Sequence, residues 1–139
     1  MYKKLYSLIR HMKRRRKPTL MSAVDEVFRE ALSFGFSEDF YRLFAFYVGK
    51  KLSRSLSDAF LKDPGRVYNV IEEMYGYGAV FIFRAVYDYL KAKIELGVSF
   101  DQFLHIVRSG DKDALRKMFI KLSEDKRSSN SSILIGEGL

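Results

Sequence analysis

The sequence lacks several residue types on which many protein functions depend. It contains no cysteine, which excludes disulfide bridges, zinc-thiolate sites and thiol nucleophiles and gives no sign of an oxidising compartment. The opening segment lacks the uncharged apolar stretch of a secretory signal. No apolar run has the length of a membrane span, and the longest candidate, Ala79 to Phe83, stops at Arg84. We therefore expect a soluble, cytoplasmic protein.

Catalytic arrangements of side chains are also missing. Of the two histidines, His11 lies near the start and His105 lies within an apolar helical pattern, where a structural role is commoner than that of a base. The adjacent Glu72 and Glu73 diverge around a helix and cannot share one proton. No Glu-x-x-His pair suits a di-iron site, and Gly76-Tyr77-Gly78 lacks the third glycine and the lysine of a phosphate loop. We expect no enzyme, no metal site and no cofactor.

What the sequence does contain is a strongly segregated charge. The formal net charge is +8, and residues 1 to 17 hold eight basic and no acidic residues, leaving 17 of each sign in the remainder. Such a block is typical of an appendage that binds polyanions, because its cations replace the counterions condensed on nucleic acid. We predict that the phosphate-binding residues are Lys3, Lys4, Arg10, Lys13, Arg14, Arg15, Arg16 and Lys17.

The same arm, residues 1 to 18, carries a second pattern. Its apolar residues recur at helical spacing opposite Lys3, Lys4, Arg10 and Arg14, and they are Tyr2, Leu5, Tyr6, Ile9 and Met12. A basic amphipathic helix of this kind could bind nucleic acid, lie on an anionic membrane surface, or dock on its own domain. A solvated solubility tail is a further alternative. Since Met21 could also start a complete domain, the sequence leaves open whether the arm belongs to the protein.

Residues 19 to 123 have the pattern of an all-α domain, a compact bundle of five or six helices. Capping residues and apolar spacing of three and four predict its elements. The predicted helices are capped or begin at Ser22 (with Asp25 completing a capping box), Ser37, Asp63 followed by Pro64, Ala79, Ser99 and Asp111. They end near Gly35, Arg54, Gly76, Leu96, Gly110 and Leu122. Residues 124 to 139 become serine-rich and lose periodicity, which predicts a mobile tail.

Two of the predicted helices are apolar on most sides. These are the segments from Phe40 to Gly49 and from Ala79 to Leu96. Together they carry more apolar surface than a small monomer can easily cover. A homodimer is therefore expected. The aromatic residues most suited to a self-association face or a ligand pocket are Tyr75, Tyr77, Tyr87 and Tyr89, although core packing is the commoner use of such residues.

A helix-turn-helix is a possible interpretation of residues 99 to 123. Its second helix would carry Lys112, Arg116, Lys117 and Lys121. Asp111 and Asp113 would then lie at the end expected to approach DNA, so an ordinary pair of antiparallel helices is favoured.

One family resemblance adds to this interpretation. The segment AVDEVFREAL, an aromatic second helix, the Asp63-Pro64 helix start and the segment VIEEMYGYGAVFIF together resemble the Nitrosopumilus output domain, a small archaeal helical domain. The resemblance covers residues 23 to 91, about half of the chain. It carries no catalytic residues, and it implies a regulatory or interaction module. The arm and the last two helices lie outside it.

The leading hypothesis is thus a non-enzymatic regulatory module. Its neutral helical domain would mediate protein contacts or dimerisation, and its arm would hold nucleic acid through the phosphates. One alternative is a protein adaptor that binds no nucleic acid and whose first helix packs on its own domain. Another is a helical bundle that binds a small molecule in an aromatic cavity.

Overall fold

The computed structural model describes the backbone of residues 19–137 and the side chains of residues 19–124. The eight basic residues of the arm lie outside the described residues, as do the last two residues of the chain. Within the described part all regular structure is helical, which confirms the predicted all-α class. The helices are α1 (Leu20–Gly35), α2 (Glu38–Leu52), α3 (Leu56–Lys62), α4 (Pro64–Tyr75), α5 (Gly78–Lys93), α6 (Phe100–Ser109) and α7 (Lys112–Glu137).

The start of α1 differs from the sequence prediction. Thr19, not Ser22, is the N-cap, and its hydroxyl oxygen accepts a hydrogen bond from the Ser22 amide at 3.0 Å. The Ser22 hydroxyl instead donates to the Thr19 carbonyl at 2.8 Å. The predicted capping box of Ser22 and Asp25 is therefore wrong, because the helix begins three residues earlier, as soon as the chain passes Pro18.

The helix count also exceeds the five or six predicted, and α3 accounts for the difference. The chain leaves α2 at Ser53, which adopts a left-handed conformation with φ of 57°, and Ser55 then caps a helix of only seven residues. Leu56, Phe60 and Leu61 of this helix are buried. The sequence predicted no helix between Arg54 and Asp63, where the structure has a separate one.

Most of the other predicted boundaries are confirmed. The Ser37 hydroxyl caps α2, Asp63 caps α4 with Pro64 at its first position, and Ser99 forms a capping box with Gln102 on α6. Gly76 and Gly110 end α4 and α6 with positive φ, as their positions predicted. Helix α5 ends at Lys93, short of the predicted Leu96.

The last helix runs further than its apolar periodicity indicated. Asp111 caps it by accepting a hydrogen bond from the Ala114 amide at 3.2 Å, as predicted. The helix continues past Leu122 to Glu137, through the serine-rich segment expected to lack regular structure. The mobility of residues 124 to 139 stays a prediction.

The core is built around α1, which packs against α2, α3, α5 and α7. Phe28 of α1 is fully buried, and its ring meets Phe60 of α3 edge-on at 5.2 Å between centroids. Phe44 of α2 and Phe83 of α5 each lie 6.2 Å from the same ring. Edge and offset contacts of this kind add to the free energy of burial. Four helices are therefore joined through one aromatic side chain.

Helices α1 and α5 lie side by side and run in opposite directions. Near the end of α1, a Cβ on Gly35 would lie 3.2 Å from the Cβ of Ala85. Glu26 and Glu30, nearer the start of α1, are close enough to Tyr89, one turn further along α5, for their carboxylates to raise its pKa. Small residues at the contact allow the two backbones to approach closely, and this approach shapes the surface described next.

Candidate interaction surface

A groove of about 640 Å³ lies on the solvent side of the α1–α5 contact. Its floor consists of small residues, namely Ala31 and Gly35 of α1 and Ala85 and Ala92 of α5. Its walls are aromatic, and they are formed by Phe34, Phe36, Phe81 and Tyr89. Small residues between larger ones give a helix pair a concave face, which is the shape that accepts the ridge of another helix.

Several walls of the groove are exposed to an extent unusual for apolar side chains. Phe34 is 94% exposed and Phe81 is 66% exposed, while Phe36 and the neighbouring Tyr77 are also in the exposed class. Tyr77 and Phe81 are one helical turn apart, so they extend the same apolar face toward the turn between α4 and α5. Single exposed apolar residues are common, whereas a contiguous aromatic group around a groove is typical of a binding site.

The rim of the groove carries balanced charge. Arg84 and Lys93 are basic, and Glu30 and Asp88 are acidic. Arg84 donates from Nε to Asp88 Oδ1 at 3.1 Å, and its guanidinium lies 5.0 Å from the centre of the Phe100 ring. The ammonium of Lys93 lies 5.5 Å from the ring of Tyr89. The formal charges at the rim therefore cancel, and the walls of the groove are apolar.

Tyr89, in the wall of the groove, has a pKa that its surroundings shift. Burial raises its pKa above the ordinary value of 10.0, and the carboxylates of Glu26 and Glu30 raise it further, while Arg29 acts in the opposite direction. The phenol is thus neutral throughout the physiological range and presents an apolar ring with a polar tip.

A second exposed apolar stripe lies on α2. Leu43, Phe46 and Tyr47 are exposed at spacings of three and four residues, and the rings of Phe46 and Tyr47 meet edge-on at 5.2 Å. The opposite face of α2 buries Phe44 and Val48 in the core. The apolar surplus that the sequence predicted for this helix therefore lies at the surface of the described chain.

The four tyrosines singled out by the sequence divide between core and surface. Tyr87 is buried, and its hydroxyl donates to the Val98 carbonyl at 2.8 Å. Tyr75 is partly buried against Phe40 and Phe44. Tyr77 and Tyr89 alone contribute to the surface around the groove. The phenylalanines that form most of it were not predicted.

The other sequence candidates are placed apart from this surface. His105 is exposed on α6 rather than buried, in a depression that it shares with Asp101 and Gln102. Glu73 pairs with Lys51 at 3.3 Å. Among the residues whose side chains are described, no cluster of three or more histidine, aspartate or glutamate residues could hold a metal ion.

Two basic residues on the second helix of the helix-turn-helix alternative donate hydrogen bonds within their own domain. Lys121 donates to the Glu95 carbonyl at 2.7 Å, and Arg116 donates to the Leu61 carbonyl at 3.5 Å. Both side chains therefore hold α7 against its own domain, which supports the interpretation as ordinary packed helices.

Comparison of the chain with protein-family models, with curated proteins and with solved structures finds no match in any of the three. The resemblance of residues 23 to 91 to the Nitrosopumilus output domain accordingly stays a prediction. Across the residues that the structure describes, no helix is both long and apolar enough to cross a membrane.

Proposed function

We propose that this chain is a non-enzymatic regulatory or interaction module, in which the helical domain makes protein contacts and the basic arm binds the phosphates of nucleic acid. The observation that carries the first part is the apolar surface that remains exposed on a well-packed domain. Leu43, Phe46 and Tyr47 form an exposed stripe on α2, on the side away from the buried face of the helix. Packing of the core therefore does not require these apolar side chains, and they are free to contact another protein.

The charge distribution supports the second part. The arm holds the whole net charge of +8, while the rest of the chain is balanced at 17 basic and 17 acidic residues. Several domain charges are also committed to one another, as in the Arg54 and Lys62 pairs with Asp58 and the pair of Lys51 with Glu73. The excess of positive charge that phosphate binding requires is therefore in the arm.

A salt titration of DNA and RNA binding tests the role of the arm. If about six of its cations contact phosphates, the logarithm of affinity should fall against the logarithm of salt concentration with a slope of roughly −5. Replacing Lys13, Arg14, Arg15, Arg16 and Lys17 by glutamine leaves three cations, so the slope should become no steeper than about −3.

A matched control removes the same charge from the domain. It replaces five exposed residues spread over four helices by glutamine, namely Lys50, Arg66, Lys91, Lys112 and Lys117. The full chain is used throughout, because a chain starting at Met21 would also lose the Thr19 cap of α1. Equal loss of affinity and slope in both variants would show that net charge, not the arm, is responsible.

Sedimentation across a range of protein concentrations tests the protein-contact role in its simplest form, a homodimer. We expect a concentration-dependent dimer in the wild-type chain that Phe46→Ser weakens by at least about tenfold, because an exposed aromatic side chain at the centre of an interface contributes strongly. Lys50→Ser, one turn along the same exposed face, is the control. A wild-type chain that stays monomeric at every concentration rules out the homodimer.

A further inference from the structure

The groove between α1 and α5 and the apolar stripe that the sequence predicts for the arm are two apolar surfaces on one chain. The groove is apolar, concave and without net charge. On a helix of residues 2–12 the apolar stripe would occupy one face and the basic residues the opposite face. The stripe consists of Tyr2, Leu5, Tyr6, Ile9 and Met12. We infer that residues 2–12 bind in this groove of their own chain as a helix, with the apolar stripe inward and the basic face outward. The inference deepens the proposed function, on which it rests for the role of the outward face.

The position at which the arm joins the domain supports this occupant. The arm ends where α1 begins, and α1 forms one wall of the groove. Pro18 and the non-helical Thr19 interrupt the chain there, so that a helix preceding them can reverse and lie along α1. Two antiparallel helices rise at the same rate, about 1.5 Å per residue. With the helix continued through Lys17, Ile9, ten residues before Thr19, comes level with Arg29 and Glu30, ten or eleven residues after it.

The lengths agree as well. A helix of residues 2–12 is about 16 Å long, and the groove follows α5 from Phe81 to Lys93, about 18 Å. Ile9 then lies over the end of the groove near Glu30, and Tyr2 lies over the end near Phe36. Phe34 is then at the level of Leu5, and Phe81, one turn before Ala85 on α5, lies at the end of the groove near Tyr2.

The electrostatics favour the same orientation. The rim residues Glu30, Arg84, Asp88 and Lys93 carry no net charge, so a basic helix meets no repulsion on binding. With the stripe inward, Lys3, Lys4 and Arg10 project to solvent and form a fixed basic patch beside Lys13 to Lys17. The docked arm remains able to bind phosphates, and its orientation on the domain is then defined.

Two measurements on the full chain without nucleic acid test the inference. The amides of residues 5 to 12 should exchange with solvent at least about tenfold more slowly than unprotected amides. Nuclear Overhauser contacts should join the Leu5 methyl groups to the Ala85 methyl group and the Ile9 methyl groups to the Ala92 methyl group. Protection and the contact between Leu5 and Ala85 should be lost in Ile9→Asp and kept in Ser7→Asp, which places the same charge on the opposite face of the predicted helix.

A groove variant tests the other side of the contact. Ala92→Arg places a bulky cation on the exposed part of the floor and should release the arm, whereas Asn69→Arg, at an exposed position on α4, should not. Contacts seen only between labelled and unlabelled chains in a mixed sample would assign the groove to a second copy. That result overturns the inference, as does the absence of protection.

The salt titration separates this inference from the proposed function. A chain with a steep arm-dependent slope but no Ile9 contacts to the groove binds nucleic acid through an undocked arm, which contradicts docking alone. A chain with these contacts but no arm-dependent slope has a docked arm that is not a phosphate-binding patch.

Discussion

Gly35 and Ala85 meet where α1 crosses closest to α5, and a Cβ on Gly35 would lie only 3.2 Å from that of Ala85. This separation is tighter than most Cβ contacts, so a larger residue at position 35 requires Ala85 to move by a few tenths of an ångström. Gly35→Val should lower the free energy of unfolding by about 1–3 kcal/mol, the usual cost of overpacking. Urea denaturation measures the change.

Asn69→Val, at an exposed position on α4 away from the groove, is the control for this prediction. This replacement should change the free energy of unfolding by no more than about 0.5 kcal/mol. Equal effects of the two substitutions would show that the close approach of α1 and α5 does not limit the size of residue 35.

Thr19 provides a second prediction, since the structure assigns it the capping role that the sequence pattern gave to Ser22. Thr19→Ala removes the acceptor for the Ser22 amide and should cost about 1 kcal/mol of folding free energy. Ser22→Ala removes only a hydroxyl that donates to the Thr19 carbonyl, and should cost less. Chemical denaturation of the two variants under one condition decides between the caps, and a larger loss in Ser22→Ala would favour the sequence-based assignment.

The parts of this fold that the sequence predicts are those set by residues close together along the chain. Ser37, Asp63 with Pro64, and Ser99 were found because a cap acts on amides two or three residues away. Helix α3 was missed because seven residues give too little periodicity, and because Ser53 occupies a left-handed position that glycine or asparagine usually marks.

The groove could not be predicted for a different reason. It forms where α1 meets α5, about fifty residues apart in sequence, and its floor consists of alanine and glycine, which no chemical motif marks. Phe34 and Phe81 belong to helices with a clear buried face, and the sequence does not show which of their aromatic residues remain outside. Only the surplus of apolar residues on the helices was predictable.

Phe60 tests the importance of the helix that the sequence missed. It is fully buried on α3, and its ring contacts Phe28, Phe83 and Phe119 at centroid distances of 5.2, 6.3 and 6.1 Å. Phe60→Ala should destabilise the fold by about 3–5 kcal/mol, the range for deleting a buried aromatic side chain. Calorimetric or denaturant unfolding measures this cost. The exposed Phe46→Ala is the matched control, and a similar loss in both would mean that α3 does not contribute to the core as described.

The pH dependence of stability follows from the tyrosines. Burial raises the pKa of Tyr41, Tyr68, Tyr75 and Tyr89 above 10.0, the ordinary value that applies in the unfolded chain. Below pH 10 all four are neutral in both states, so their contribution to stability is fully present. Above it the unfolded chain ionises first, and the free energy of unfolding falls until the folded pKa values are passed.

Urea unfolding between pH 9 and pH 11.5 should therefore show a loss of stability that begins near pH 10, and Tyr89→Phe should make that loss less steep. Lysine side chains titrate in the same range, so the comparison is made between variants at each pH and not across pH alone. Tyr77→Phe, which removes an exposed hydroxyl at the edge of the same surface, is the control. If the two variants show the same pH dependence, the burial of Tyr89 beside Glu26 and Glu30 does not couple its ionisation to folding.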